Sequence, residues 1–273
     1  MKYYVVSDVH SFYTELEAAL KEKGFFECKE PHKLIICGDL FDRGPQSVEM
    51  QDFIVELLKK NEVILVRGNH EDLMIELLND AEYCFETDIK FSHHWHNGTV
   101  RTLYDLTGMN IKKNTPNDMV SKMRNTPYCK MILPAMVDYY ETANYIFVHG
   151  WIPSLYIISY GLKYYSTYPH WRNATKEQWK SARWINGMEA FSRGIKEDGK
   201  TIVCGHWHCS WGHHFLEGQG GEFGKDCNFE PFYDEGIIAI DACTAISKKV
   251  NCIVLDDEPV NCLEKCVEKN KHE

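Results

Sequence analysis

The chain has 273 residues, of which 44% are hydrophobic and 26% are charged, a composition typical of globular proteins. This length is long for one domain and short for two, and it allows a large buried core. The formal net charge of -10 argues against a protein that coats a nucleic-acid duplex, because such proteins usually present a basic surface. A small anionic substrate would instead need a local positive centre.

Signals for location in the cell point away from the membrane. No apolar run approaches the roughly 18 to 20 residues of a membrane span. The start, "MKYYVVSD", enters a strand pattern without the basic and long apolar stretches of a signal peptide. The eleven cysteines are scattered through apolar segments, which predicts buried thiols in a reducing compartment. We therefore expect a cytoplasmic protein without a membrane partner, with Cys262 and Cys266 on a surface helix rather than in a metal site.

The first 80 residues alternate between strand and helix patterns. The first helix has apolar residues at helical spacing, as Phe12, Leu16 and Leu20 show, and Gly24 ends it. The three expected strands are 3–7, 33–37 and 62–66. Their expected helices are 12–24, 47–60 and 71–80. This alternation predicts parallel strands that are joined by right-handed crossovers.

The middle of the chain changes character. Residues 84–130 contain polar helical stretches and two prolines, which predicts a helical insertion. The glycine-rich segment 217–224 is expected to be an exposed loop with no packing role. Further strands are expected at 136–142 and 144–150, which are close enough to pair as a hairpin, and at 201–205, 236–242 and 251–257. We predict one domain over 1–273 with the helical insertion around 84–130.

Polar residues follow most of the predicted strands. Ligands bind at the carboxyl ends of parallel strands, so these residues can converge although they are far apart in sequence. The first three strands are followed by Asp8 and His10, by Asp39, Asp42 and Arg43, and by Arg67, Asn69, His70 and Glu71. The later strands are followed by His149, and by His206 and His208.

Each motif alone has an ordinary structural explanation, such as a helix cap, a surface ion pair or a core histidine. Together they contain imidazoles, carboxylates and one amide, which suit Mn, Fe or Zn. There are too many donors for one ion, whereas two ions that share Asp39 could use them. Two ions about 3.5 to 4 Å apart can activate a water and clamp the oxygens around phosphorus. The residues therefore predict a dinuclear phosphoester hydrolase.

Five motifs carry a family resemblance: "DVH", "GDLFDRG", "RGNHE", "HG" and "GHWH" resemble the signature blocks of the calcineurin-like metallophosphoesterases. The forms GDxxDRG and GNHE resemble the phosphoprotein phosphatase branch, which includes bacterial and phage Ser/Thr phosphatases and symmetrical diadenosine tetraphosphate hydrolases. The segments 95–103 and 236–257 resemble further parts of that branch, so the resemblance spans almost the whole chain. It implies an α/β fold, a four-layer αββα sandwich of two mixed β-sheets flanked by helices.

The resemblance also implies a role for each matched residue. His70 corresponds to the general acid and Asp42 to the carboxylate that orients it, which agrees with the need of an alkoxide leaving group for a proton. The implied ligands of the first ion are Asp8, His10 and Asp39, and those of the second are Asp39, Asn69, His149 and His206. The implied substrate contacts are Arg43, Arg67 and Asn97, and the arginine fork suits bidentate phosphate binding.

The chain departs from that branch in several places. The form "GHWH" makes His208 a predicted additional ligand of the first ion, with a histidine at the rim of the site as the alternative. Trp151 follows His149 where the branch has small residues, so we expect a bulky side chain near the site. Thr99 replaces the second glycine of an Asn-Gly-Gly motif. Five histidines outside the matched ligand positions are expected to be solvated loop residues rather than ligands of phosphate groups or of adventitious metal: His93, His94, His96, His213 and His214.

The main functional expectation is a Ser/Thr protein phosphatase-like phosphomonoesterase, in which a metal-bridging hydroxide attacks phosphorus in line. The alternative within the class is a hydrolase of bis-nucleoside polyphosphates or of other small phosphoesters. A catalytically inactive interaction scaffold is the alternative from another class, and the complete donor set argues against it. The expected partner is a phosphorylated peptide or a nucleotide, and the expected cofactors are two divalent or trivalent ions of Mn, Fe or Zn.

Overall fold

A computed structural model describes residues 1–86, 89, 92–159 and 162–259. Cys262 and Cys266 lie outside these residues. The strands are β1 (Lys2–Val6), β2 (His32–Cys37), β3 (Val63–Val66), β4 (Tyr140–Glu141), β5 (Tyr145–Phe147), β6 (Ser154–Ser159), β7 (Leu162–Thr167), β8 (Thr201–Cys204), β9 (Phe232–Asp234), β10 (Ile237–Ala239) and β11 (Ile253–Asp256). The α-helices are α1 (Tyr13–Glu22), α2 (Ser47–Lys60), α3 (Asn69–Asn79), α4 (Ala81–Glu86), α5 (His93–Asn97), α6 (Thr99–Thr107), α7 (Pro116–Arg124), α8 (Leu133–Ala135), α9 (Lys176–Ala182), α10 (Gly187–Ser192), α11 (Ser210–Phe215) and α12 (Thr244–Ser247).

The strands form two mixed sheets and one hairpin. The first sheet has the order β11-β1-β2-β3, in which β1, β2 and β3 are parallel and β11 is antiparallel. The second sheet has the order β4-β5-β8-β10-β9, in which β5, β8 and β10 are parallel and the edge strands are antiparallel. The parallel start and the β4–β5 hairpin are confirmed. The β6–β7 hairpin and β9 were not predicted from the sequence.

Alternation along the strands produces four layers. In β1, Tyr4 and Val6 pack with α1 and α2 residues, whereas Tyr3 and Val5 pack in a separate core with Phe147 and other residues of the second sheet. The opposite face of the second sheet packs against α9 and α10 through a third core. The order is helices, sheet, sheet, helices, which confirms the expected αββα sandwich with two mixed sheets.

The segment between β3 and β4 is largely helical, as expected for residues around 84–130. Helices α6 and α7 contribute Val100, Leu103, Met119 and Met123 to the core that lies under the first sheet. Helix α6 contacts both α2 and α3, so its first turn lies beside the loops that follow β2 and β3. None of the helices in the described ranges has the length and apolar character needed to cross a membrane.

Phe147 tests the packing between the sheets, because its ring is fully buried there. Phe147→Ala would leave a cavity and should lower the free energy of unfolding by about 3 to 5 kcal/mol, measured by urea denaturation. Phe147→Leu is the matched control and should lose less, since it keeps more of the buried volume. A loss below about 1 kcal/mol for the alanine variant would show that this core does not hold the sheets together.

Candidate metal centre

Six loops, three from each sheet, carry polar side chains to the carboxyl ends of the parallel strands. They are linked to one another by hydrogen bonds: the Asp8 amide donates to the Gly38 carbonyl at 3.2 Å, and the Gly205 amide donates to the His149 carbonyl at 2.7 Å. The loops of the first sheet carry Asp8 and His10, Asp39 and Asp42, and Asn69 and His70. Those of the second sheet carry His149, His206 and Asp241.

Asp39 lies at the centre of this arrangement and is only 2% exposed. Its Oδ1 is 3.4 Å from His149 Nε2, and its Oδ2 is 3.7 Å from His10 Nε2 and 3.8 Å from His70 Nε2. Two groups of candidate ligand atoms, each within 4.8 Å of one another, share this carboxylate: one with His10 and His70, the other with His149 and His206. The two carboxylate oxygens of Asp39 therefore face different histidines.

The donor atoms around His149 fit a cation. Its Nδ1 is 2.8 Å from the Cys37 carbonyl, which can only accept, so Nδ1 carries a proton. Burial lowers the pKa of His149, so the ring is neutral and its Nε2 presents a lone pair. That lone pair faces Asn69 Oδ1 at 2.7 Å and Asp39 Oδ1 at 3.4 Å, both of which are acceptors. A cation between these atoms would satisfy all three.

One other histidine is oriented in the same way. His10 Nδ1 is 2.9 Å from the Phe41 carbonyl, so its Nε2 faces Asp39. The backbone of Trp184 lies close to the His206 ring and acts to raise its pKa, and the His206 amide donates to Asp8 Oδ2 at 2.9 Å. A backbone carbonyl on one ring nitrogen fixes the tautomer and leaves the other nitrogen for a metal, an arrangement common at metal sites.

Burial also shifts the titration of these groups. It lowers the pKa of His10 and takes that of His206 to about 3, so both rings are neutral over the physiological range. It raises the pKa of Asp8, with the charge of Asp241 as a second cause, and that of Asp39, with the charge of Asp8 as a second cause. Burial raises the pKa of Asp241 to about 6. The charge of Arg43 opposes these shifts only in part, and a metal ion would supply further positive charge.

The loops that carry these residues are strained. Six predicted site residues have left-handed backbone, which costs side-chain-bearing residues of order 1 to 3 kcal/mol each. They are Asp8, His10, Asp39, Asp42, Arg43 and His206. Gly68 allows the third loop to close on the second, because a Cβ there would lie 2.1 Å from Asp39 Oδ1. Such strain persists where surrounding contacts hold the loop, as they do here.

Glu71 supplies some of those contacts, although the sequence motif assigned it no role. Its side chain is fully buried and accepts hydrogen bonds from the amides of Gly68 at 2.7 Å, Leu40 at 3.0 Å and Asp39 at 3.1 Å. One carboxylate therefore joins the loops after β2 and β3. Its place at the third helical position after Gly68 in "GNHE" was the available signal.

We call the candidate ligands Asp8, His10, Asp39, Asn69, His149 and His206 the Asp39 cluster. His70, Asp42 and Arg43 lie together beside it. His70 Nδ1 is 2.7 Å from Asp42 Oδ2, and Arg43 Nη2 is 3.2 Å from His70 Nε2. Thr99 donates to Asp42 Oδ2 at 3.0 Å and Thr102 donates to Asp42 Oδ1 at 2.6 Å. Helix α6 therefore orients the carboxylate that orients His70. Sequence reasoning missed this role of both threonines and treated Thr99 only as a replaced glycine.

Asp241 was also missed as a member of the site. It follows β10 in the same way that the predicted acids follow the other parallel strands, and its charge raises the pKa of Asp8. The Cys243 amide donates to Asp241 Oδ1 at 2.7 Å. Asp241 in "IDA" (240–242) follows a parallel strand, as the other selected residues do, but it was not selected from the sequence.

Three predicted residues form no hydrogen bond or ion pair with the Asp39 cluster in the part of the chain that the structure describes, although the charge of His208 is a minor cause of the lowered pKa of His206. Asn97 donates to the His93 carbonyl of its own helix at 2.9 Å. Arg67 lines a separate cleft of about 1100 Å³ together with Asp72. His208 is buried beside Phe223, with Nε2 3.9 Å from Glu222 Oε1. Their assigned roles stay predictions.

Several structural expectations around the site were wrong. Trp151 is 1% exposed in the core of the second sheet, where its Nε1 donates to the Ile195 carbonyl, because helices α9 and α10 cover it. His94 and His213 are buried rather than solvated. The segment 217–224 is a largely exposed loop, as expected, but it does have a packing role, since Glu222 accepts a hydrogen bond from Trp207 Nε1 at 3.3 Å.

A second group of candidate ligands lies away from this cluster. Glu76, His93 and His94 have ligand atoms within 4.8 Å of one another. Lys180 already forms an ion pair with Glu76 and supplies the positive charge there. The groups around Asp39 are more deeply buried and share one carboxylate between two sets of histidines, so they are the stronger metal candidate.

The site is a buried set of histidines and carboxylates at the strand ends of two sheets, with a histidine–aspartate pair beside it. This arrangement is typical of the active site of a metal-dependent hydrolase. The family model of the calcineurin-like phosphoesterases matches residues 1–239. The chain belongs to this family, and the resemblance noted in its sequence motifs is confirmed. Members use divalent metal ions, in agreement with the histidine and aspartate groups described above.

Similar proteins include hydrolases of dinucleotides. Over 77 residues the chain is 39% identical to the asymmetrical bis(5'-nucleosyl)-tetraphosphatase PrpE of Bacillus velezensis, covering 26% of the chain and 30% of that protein. Over 71 residues it is 41% identical to the symmetrical bis(5'-nucleosyl)-tetraphosphatase of Buchnera aphidicola, covering 26% of the chain and 24% of that protein. The chain thus spans less than a third of the length of these relatives.

One solved structure supports the fold. A cold-active protein-tyrosine phosphatase of a Shewanella species superposes with a TM-score of 0.54 at 16% identity, covering 93% of this chain and 75% of that one. At this identity the similarity concerns the architecture alone.

The raised carboxylate pKa values predict pH-dependent metal binding. Protons compete with metal for Asp8 and Asp39, whereas His10, His149 and His206 remain neutral and do not compete. Affinity should therefore fall as the pH falls. Mn²⁺ should raise the melting temperature more at about pH 7.5 than at about pH 5.5, because ligand stabilisation depends on affinity.

Asp241→Asn is the informative variant for this pH dependence. It removes the charge that raises the pKa of Asp8, so the difference between the two pH values should shrink. Asp234→Asn, on the exposed edge strand β9, is the matched control and should behave like the unmodified protein. Equal Mn²⁺ stabilisation at both pH values in the unmodified protein would contradict the prediction.

Proposed function

We propose that this protein is a dinuclear metal-dependent hydrolase of bis-nucleoside polyphosphates. The observation that carries the proposal is the Asp39 carboxylate, whose two oxygens face separate histidine groups beside the His70–Asp42 pair. The two relatives reported above are named as bis(5'-nucleosyl)-tetraphosphatases, and they support bis-nucleoside polyphosphates as the substrate class. The sequence motifs had favoured a Ser/Thr phosphatase. This reverses the order of the two sequence-based alternatives.

The donor sets suggest how the ions would be held. Asp39 would be shared, with Asp8 and His10 on one side and Asn69, His149 and His206 on the other. When bound, the two ions supply positive charge for the phosphate oxygens and lower the pKa of a water molecule. The side chains named in the sequence motifs thus have the chemistry that a metal pair of Mn, Fe or Zn requires. The complete set also argues against an inactive scaffold.

His70 is the proposed proton donor to the leaving oxygen. Its Nδ1 is held by Asp42, so Nε2 is the atom that faces the centre and delivers the proton. Arg43 Nη2 can only donate and lies 3.2 Å from that nitrogen, so Arg43 would have to turn from His70 to the phosphate for Nε2 to carry the proton; that phosphate would be within reach of His70. Thr99 and Thr102 keep Asp42 in place for this purpose.

One domain over 1–273 and a cytoplasmic location remain predictions.

His70→Asn tests the proton-transfer role. The variant should keep its metal content but lose about 10²- to 10⁴-fold in kcat with an alkyl phosphate, the usual range for general acid catalysis. The loss should be much smaller with p-nitrophenyl phosphate, because a nitrophenolate leaves without protonation. Asp39→Asn is the comparison variant, and it should lose metal together with activity on both substrates. An equal loss on both substrates for His70→Asn would exclude the general-acid assignment.

A substrate panel tests the proposed specificity. With Mn²⁺ supplied, kcat/KM should be at least about tenfold higher for diadenosine tetraphosphate than for phosphoserine or phosphothreonine peptides or for mononucleotides, a difference of about 1.4 kcal/mol in transition-state binding. A preference for phosphopeptides would instead favour the Ser/Thr phosphatase. A preparation with far less than two ions per chain after Mn²⁺ addition, and without turnover, would favour the scaffold.

A further inference from the structure

A small aromatic cavity, which we call the indole pocket, lies beside His206. Its volume is about 150 Å³, whereas pockets for drug-sized ligands span roughly 300 to 1,000 Å³. This space suits one planar ring system rather than a whole nucleotide. Its walls are formed by Tyr165, Ser181, Trp184, Ile185, Asn186, Glu189, Trp207 and Trp211.

The indole pocket lies next to His206, one of the histidines of the candidate metal centre. The ring of Trp184 lies 5.7 Å from the ring of His206 at an angle of 84°, and that of Trp207 lies 6.1 Å away at 62°. His206 in turn belongs to the candidate ligand group of Asp39 and His149. A ligand whose phosphate is bound at the Asp39 cluster could therefore extend past His206 towards this cavity.

The aromatic walls are held in place but remain accessible. Trp207 is anchored by its hydrogen bond to Glu222, and Trp211 packs on Phe215 with ring centroids 5.0 Å apart. Trp184 is 48% exposed although its ring packs edge-on against the ring of His206. Single exposed aromatic side chains are common, but three indoles around one cavity next to a polar centre are characteristic of a ligand site.

The polar groups of the pocket indicate an uncharged ligand. Among the residues that the structure describes, its lining contains no lysine or arginine and includes the Glu189 carboxylate, so a second phosphate would be repelled. Glu189 accepts a hydrogen bond from the Tyr165 hydroxyl at 3.1 Å, and Asn186 caps α10 by accepting from the Glu189 amide at 3.2 Å. A carboxylate and an amide at the edge of an aromatic pocket can bond to the N–H and N atoms of a heterocycle.

We propose that the indole pocket binds the base of a nucleotide substrate by stacking on Trp184 and Trp207. This inference rests on the proposed function, since it assumes that the phosphate is bound at the Asp39 cluster. Stacking of bases on aromatic side chains tolerates different bases because each has a π-face. The pocket therefore distinguishes nucleotides from other phosphoesters, rather than one base from another.

The test compares two inhibitors that differ only in the base. With Mn²⁺-loaded protein and p-nitrophenyl phosphate as substrate, adenosine 5'-monophosphate and ribose 5-phosphate are assayed as competitive inhibitors. The inhibition constant for ribose 5-phosphate should be roughly 5- to 100-fold higher, the range expected for loss of one stacked base. Trp184→Ala should bring this ratio close to one, and Trp184→Phe should keep most of it.

Tyr233→Ala is the matched control, because Tyr233 is an exposed aromatic residue of β9 outside the pocket lining, and its ratio should equal that of the unmodified protein. A ratio near one in the unmodified protein, or a ratio unchanged by Trp184→Ala, would overturn the base-binding proposal. Failure to hydrolyse diadenosine tetraphosphate would refute the proposed function instead. The inhibition ratio is measured with a different substrate, so the two failures are distinguishable.

Discussion

The Asp39 carboxylate is almost fully buried, which raises its pKa, and Asp8 and Glu71 are close enough to raise it further. Burying a carboxylate near other acids is unfavourable, because each loses hydration and repels the others. The surrounding histidines do not offset this charge, since burial makes them neutral. Protonation or the binding of a cation can relieve the repulsion. The rest of the site is arranged around this constraint, and the neutral imidazoles that face Asp39 favour the cation.

The fold maintains this arrangement by packing two sheets face to face. The core between them contains Tyr3, Val5, Phe147 and Val203, and it brings the loop ends of both sheets together. Glu71 joins two loops of the first sheet, and the Asp8 side chain reaches the His206 amide of the second. These contacts hold the left-handed backbone that aims the ligands. Stability built into the sandwich thus compensates for strain and desolvation at the site.

Two features next to the metal-facing histidines suggest how chemistry and specificity are separated. On one side, helix α6 holds Asp42, which orients His70. On the other side, the rings of Trp184 and Trp207 lie close to His206. The first arrangement concerns the proton of the leaving group, and the second concerns what is attached to the phosphate. A substrate with both a phosphoanhydride chain and an aromatic base would use both sides.

Much of the strand pattern could be read from the sequence, because runs such as "KLIIC" and "TIVC" are short, apolar and bounded by turn residues. The rule that ligands lie after parallel strands also selected Asp8, Asp39, His149 and His206, which the structure brings together. The hairpin β6–β7 was not predicted, since its aromatic segment has no clear alternation. The two-sheet arrangement followed only from the family resemblance, because periodicity does not specify which strands pair.

Residue types and their spacing along the chain are thus enough to predict the kinds of donor, their strand-end positions and the motifs of a phosphoesterase family. Tertiary structure decided which donors share a centre, and it added Glu71, Thr102 and Asp241, whose roles depend on contacts across separate loops. It also placed Trp151 in the core and Trp184 beside His206. The physical reason is that distance and burial depend on how the two sheets and their covering helices pack, and local sequence patterns carry no information about packing between distant segments.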